Sequence, residues 1–214
     1  MTSPLSTSDR TESMMDWFQL HSREVTWASA AVIVLVAGGW FYNRSQALKS
    51  ERAEKAYFAA QRSVVSGNLP LAESDFRKMI SRYDGTSAAT EARIALAELL
   101  YQQAKYQAGI DVLKDVDDKG DFGASIHAVR AAGYEQLNKF REAAGEYEKA
   151  AAVARFVPDR QRDSSMAAKA YLSAGDSTHA KAIWTLLGSD SKNAVAGEAR
   201  VRLGEMTATP EPGT

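Results

Sequence analysis

The chain has 214 residues, no cysteine, and 26 basic against 27 acidic side chains. Lacking thiols, it has no disulfides, thiolate zinc sites, iron–sulfur clusters or thiol catalysis. A formal net charge of −1 gives no global pull toward nucleic acid or an anionic surface. With 37 alanines and only five prolines, the composition is that of a folded, helix-rich protein.

Residues 1–24 read as a short, partly disordered segment containing Ser, Thr and Pro. Residues 25–42 follow as 18 positions without a charge, flanked by Arg23, Glu24 and Arg44. A helix of that length rises about 27 Å, close to the thickness of a bilayer core. Trp17 and Phe18 at one end, and Trp40, Phe41 and Tyr42 at the other, stand where interfacial aromatic anchors would. A buried core helix would carry a polar stripe. A signal peptide would have a shorter, basic leader and small residues after the apolar run. The segment is expected to be an uncleaved single transmembrane helix contacting lipid. Two basic residues, Arg10 and Arg23, precede it, and five follow closely: Arg44, Lys49, Arg52, Lys55 and Arg62. Taken literally, that asymmetry keeps the C-terminal part in the cytoplasm, although long folded domains translocate largely regardless of charge.

Residues 43–206 read almost wholly as helix, with apolar spacings of three and four. A module of 34 to 37 residues recurs, starting near 53, 90, 124 and 161. Ala60, Ala97, Ala131 and Ala168 each precede another small residue by twelve: Ala72, Gly109, Ala143 and Ala180. Four further on come Phe76, Leu113, Tyr147 and Trp184, and three beyond those Met79, Val116, Ala150 and Leu187. Small residues let paired helices cross closely, and the large one fills the groove against the next pair. Between the helices lie Gly67-Asn68, Ala104-Lys105, Asn138-Lys139 and Gly175-Asp176, where a left-handed turn is expected. The acidic run Asp117-Asp118-Lys119-Gly120-Asp121 reads as a solvated loop between modules two and three, without the spacing of a calcium loop. Residues 194–206 are expected to cap the stack, and 207–214 to be a disordered tail.

These modules resemble tetratricopeptide repeats, most closely over 166–184. The first departs with Ser63 at a position usually aromatic or leucine, and the usual closing proline is missing throughout. The expected fold is therefore all-α: one transmembrane helix followed by a right-handed α-solenoid of about four helix pairs and a cap. Span and repeats in this order resemble the YfgM family of inner-membrane proteins. That resemblance implies a cytoplasmic N-terminus, a periplasmic repeat domain, and the Sec translocon and periplasmic chaperones as partners.

Nothing in the sequence points to catalysis or a cofactor. His21, His127 and His179 have no second ligand at zinc spacing. No phosphate loop or dinucleotide fingerprint occurs. Glu142, Glu146, Glu148 and Lys149 fit an exposed helix face. Residues 43–214 carry 24 basic and 23 acidic residues without a concentrated patch, so no nucleic-acid partner is expected. The first helices of a tetratricopeptide stack line its concave side. Helical geometry places Tyr57, Gln61, Ile94, Glu98, Tyr101, Glu135, Gln136 and Lys169 there as the candidate protein-binding face. The expected function is a membrane-anchored interaction module, an ancillary translocon subunit or chaperone-recruiting holdase. A structural or assembly subunit of another membrane complex is the alternative.

Overall fold

The computed structural model describes residues 22–208, except the side chains of Ser22, Glu24, Val25 and Ala28. The expectations for the first 21 residues, including Trp17, Phe18 and His21, and for the end of the tail lie outside the described residues. The chain divides into two units, residues 1–51 and 52–214.

In the first unit the described backbone is the leading part of helix α1, Ser22–Val65. Val32, Ile33, Val34, Leu35 and Val36 are all largely exposed, as are Trp40, Phe41 and Tyr42. Five consecutive helical positions point in every direction around the axis, so this stretch is apolar on all sides and has no face reserved for a protein core. Among the described residues no helix is long and apolar enough to cross a membrane. The backbone of the whole uncharged run, residues 25–42, lies within α1 and makes about 27 Å of helix at 1.5 Å per residue. The transmembrane assignment of 25–42 rests on the sequence.

The second unit is an all-α solenoid. It comprises the end of α1 with α2 (Leu69–Arg82), α3 (Ser87–Gln102) with α4 (Tyr106–Leu113), α5 (Gly123–Gln136) with α6 (Phe140–Val153), α7 (Val157–Ser173) with α8 (Ser177–Ser189), and a last helix α9 (Ala196–Thr207). From α2 to α9 each helix packs on its chain neighbours, and α3 also touches α5. Ala60, Ala72, Ala97, Gly109, Ala131, Ala143, Ala168 and Ala180 are all buried, as are Phe76, Leu113, Tyr147 and Trp184. The core consists of four successive clusters instead of one centre.

The same backbone device ends the first helix of each pair. Gly67, Ala104, Asn138 and Gly175 have φ between 56° and 78°. The following residue's N–H then reaches back to a carbonyl five residues earlier: Asn68 to Ser63, Lys105 to Leu100, Lys139 to Tyr134 and Asp176 to Tyr171. This is the hydrogen-bonding pattern of a left-handed helix stop. Alanine is strained in that region, whereas glycine is not. Ala104→Gly is expected to stabilise the domain by about 0.5–1 kcal/mol, and Gly67→Ala to destabilise it similarly. Opposite shifts of the urea midpoint would check both.

One element departs from the expected spacing. Helix α4 stops at Leu113, leaving Val116 in a turn instead of on a helix. Asp115, Asp117 and Asp118 follow immediately, and carboxylates beside the negative end of a helix dipole disfavour its continuation. The loop then lies so close over the start of α5 that a Cβ on Gly123 would collide with the Asp118 carbonyl.

Candidate protein-binding groove

Three helices wall an open groove of about 260 Å³ in the first part of the solenoid. The last turns of α1 contribute Gln61, Val64 and Val65; α2 contributes Phe76; α3 contributes Ala95, Glu98, Leu99 and Gln102. Val64 and Val65 immediately precede the Ser66–Gly67 stop, which leaves Val65 89% exposed at the lip. Phe76 and Leu99 are buried core residues whose edges reach the floor. Gln61 and Val65 also border a second, more open depression of about 400 Å³ together with Phe58, Arg62 and Ser66.

Of the face read from the sequence, Gln61 and Glu98 meet in this groove. Tyr57 is turned inward instead, its ring 6.1 Å from that of Phe76. Its hydroxyl accepts a 2.7 Å hydrogen bond from Gln61 Nε2. Burial, reinforced by Glu91 and Glu98 nearby, pushes the phenol up to about 12. Ile94 is half-buried in the Leu113–Ile126 cluster. Glu135 accepts a 3.1 Å hydrogen bond from the Tyr147 hydroxyl, and Gln136 is exposed. Lys169 forms a 2.7 Å ion pair with Glu198 of α9, which together with Ser165 holds that carboxyl below its ordinary range.

Tyr101 is a packing wedge more than a groove residue. Its hydroxyl donates to the Val129 carbonyl at 3.1 Å, and burial raises its pKa. A Cβ on Gly109 would strike its ring, and one on Gly133 its hydroxyl end. Gly133→Ala is expected to destabilise the α4–α5 junction by about 1–3 kcal/mol through overpacking. Tyr101→Phe in the same background should recover part of that loss in chemical denaturation.

A charged cluster lies between α5 and α6. Glu146, expected on an exposed face, is only 5% exposed. Its helix buries the side carrying Ala143, Tyr147 and Ala150 against α5, and Glu146 adjoins that side. Its Oε2 is 2.8 Å from His127 Nδ1, while Oε1 accepts from Lys149 at 2.8 Å and Arg130 at 3.3 Å. His127 Nε2 meets Asp118 at 3.1 Å, tying α5 to the loop before it. Burial opposes ionisation of Glu146, but the His127 and Lys149 hydrogen bonds and the nearby Arg130 charge outweigh it and bring the pKa down to about 2. Among the described residues no group of histidine and carboxylate side chains is arranged to hold a metal.

Sequence reasoning passed over Val64, Val65, Leu99 and Gln102, and took Phe76 for packing alone. Only the apolar pair Val64-Val65 at a helix end offered a signal. Position in the groove follows from how α1, α2 and α3 meet, which local periodicity does not encode.

Residues 58–160, which include all eight groove residues, match a family model described as the tetratricopeptide repeat-like domain. That segment, just under half of the chain, is similar to a tetratricopeptide repeat-like domain. Solved structures agree on this fold. A Podosopora anserina protein described as a kinesin light chain with nearly identical TPR-like repeats superposes with a TM-score of 0.57 at 14% identity, covering 73% of this chain and 85% of that one. BtubC (BKLC) from P. vanneervenii gives a TM-score of 0.51 at 16% identity, covering 76% and 67%. No curated protein sequence matches the chain. In the tetratricopeptide-like domain the groove lies between the first helices of two successive pairs, the position from which such stacks engage other proteins.

Proposed function

We propose that this chain is a membrane-anchored protein–protein interaction module whose tetratricopeptide-like domain takes a segment of its partner into the α1–α2–α3 groove. The observation that carries the binding role is the exposed apolar lip at Val65, set beside a groove floored by the edges of the buried Phe76 and Leu99, within a repeat fold that serves protein–protein interaction. Residues 25–42 are the proposed anchor. Support comes from the 18 uncharged positions of the sequence and from the exposure of Val32 through Val36 on every side of the helix. The resemblance to the YfgM family supports the Sec translocon or its chaperones as the partner. It also supports a cytoplasmic N-terminus with the repeat domain in the periplasm.

A photocrosslinking residue at position 65 in the full chain, expressed in cells, tests binding and partner together. Crosslinks to translocon or chaperone subunits, lost when Leu99→Asp is added, are the expected result. Crosslinks to one other membrane complex would overturn the translocon assignment, and none at all would overturn the groove. Protease added to intact spheroplasts is expected to digest the repeat domain, whereas protection until lysis would refute the periplasmic side.

A further inference from the structure

The groove's charge narrows what it accepts. Of its eight lining residues Glu98 is the only ionisable one. It sits on α3 between the apolar Ala95 and Leu99, with the neutral amides of Gln61 and Gln102 beside it. Among the described residues no cation pairs with it. The cations of the neighbouring helices are engaged elsewhere: Arg93 with Asp84 at 2.7 Å, and Arg77 and Lys105 both with Glu73, at 3.0 and 3.2 Å. Arg62 lines the second, more open depression and not this groove. A second carboxylate, Glu91, stands two helical turns away on α3, and both it and Glu98 act on the Tyr57 hydroxyl. Glu98 is exposed, and the partial desolvation imposed by the groove wall raises its carboxyl above the usual range.

A site of about 260 Å³ is below the range for drug-sized ligands and suits one or two side chains of a peptide. Its apolar wall takes an aliphatic side chain, its unpaired carboxylate a cation, and its two glutamine amides the polar groups of a peptide backbone. We infer that the groove recognises a partner-protein segment in which a lysine or arginine stands next to a large aliphatic residue, with the aliphatic group against Val65, Phe76 and Leu99 and the cation at Glu98. This inference rests on the binding role proposed above and adds the chemistry of the partner.

The test is fluorescence anisotropy on the full chain in mild detergent with three labelled dodecapeptides. They share a leucine-containing frame and differ only in carrying Lys, Gln or Glu beside the leucine. The Lys peptide is expected to bind tightest, with an affinity that falls as salt rises. Glu98→Gln, a change at an exposed position, should weaken the Lys peptide roughly fivefold and leave the Gln peptide unchanged. Glu98→Lys should invert the preference toward the Glu peptide. Equal affinities for all three peptides together with a silent Glu98→Gln would overturn the cation preference, while the groove remained a peptide site. Binding of none, with crosslinks from position 65 also absent, would overturn the wider proposal. A dimer in sedimentation that Val65→Asp dissociates, with no peptide competing for it, would make a second copy the occupant and overturn the inference.

Discussion

Glu146→Ala is expected to cost the repeat domain about 3–5 kcal/mol, the effect of removing one partner from a buried charged cluster. His127 and Arg130 would lose their carboxylate in a site that admits little water, and α5 would lose its polar link to α6. The pH dependence has a definite sign. Because the folded-state pKa lies near 2, below the ordinary 4.5, Glu146 contributes stability above about pH 4.5 and loses it as the pH falls toward 2. The contribution is on the order of 3 kcal/mol. Glu146→Gln keeps the shape without the charge, so the difference in stability between wild type and this variant should shrink across that window. Urea titrations of both proteins at pH 6, 4 and 3 measure it, and a difference constant with pH would refute the assignment.

Trp184→Ala should be comparably damaging, at about 3–5 kcal/mol, because a fully buried indole would be replaced by a cavity. Trp184 fills the space among Ala168, Ala180, Leu187 and Ala199, joining α7 and α8 to the last helix α9. Its indole N–H has no hydrogen-bond partner among the described residues. Trp184→Phe therefore removes an unpaired buried polar group along with some volume and should cost less than about 1.5 kcal/mol. Amide hydrogen exchange would locate the damage: in the alanine variant α8 and α9 should lose protection while α2 and α3 keep theirs. Uniform loss along the domain would contradict it.

The repeat was legible because its physics is local. Small residues twelve apart within a module, with a large one a turn later, arise wherever two short helices cross closely. Ala60 and Ala72, or Ala168 and Ala180, report that spacing without knowledge of the rest. The turns were legible for the same reason, since Gly67, Asn138 and Gly175 are residues that tolerate positive φ, and Ala104 takes the same conformation against its preference. The early end of α4 was not read, although Asp115, Asp117 and Asp118 carried its cause. Glu146 was misassigned because a glutamate three residues before a lysine looks like a surface pair, and its other partners lie 16 and 19 residues back in the chain. Tyr57 and Tyr101 were placed on a binding face by helical phase alone. Their inward orientation depends on Phe76 and on Gly109 and Gly133, residues of other helices.

The division of the core into four clusters gives the domain a particular mechanics. The groove is walled by the cluster shared among α1, α2 and α3, while Trp184 belongs to the cluster at the far end. When only adjacent pairs share buried surface, small changes of angle between them add along the stack without emptying any one cluster. Such a stack lets the angle at one junction change while distant helices hold their packing. Segments of different girth could be gripped by the same residues, and tension applied at one end would be taken up pair by pair, as in a spring.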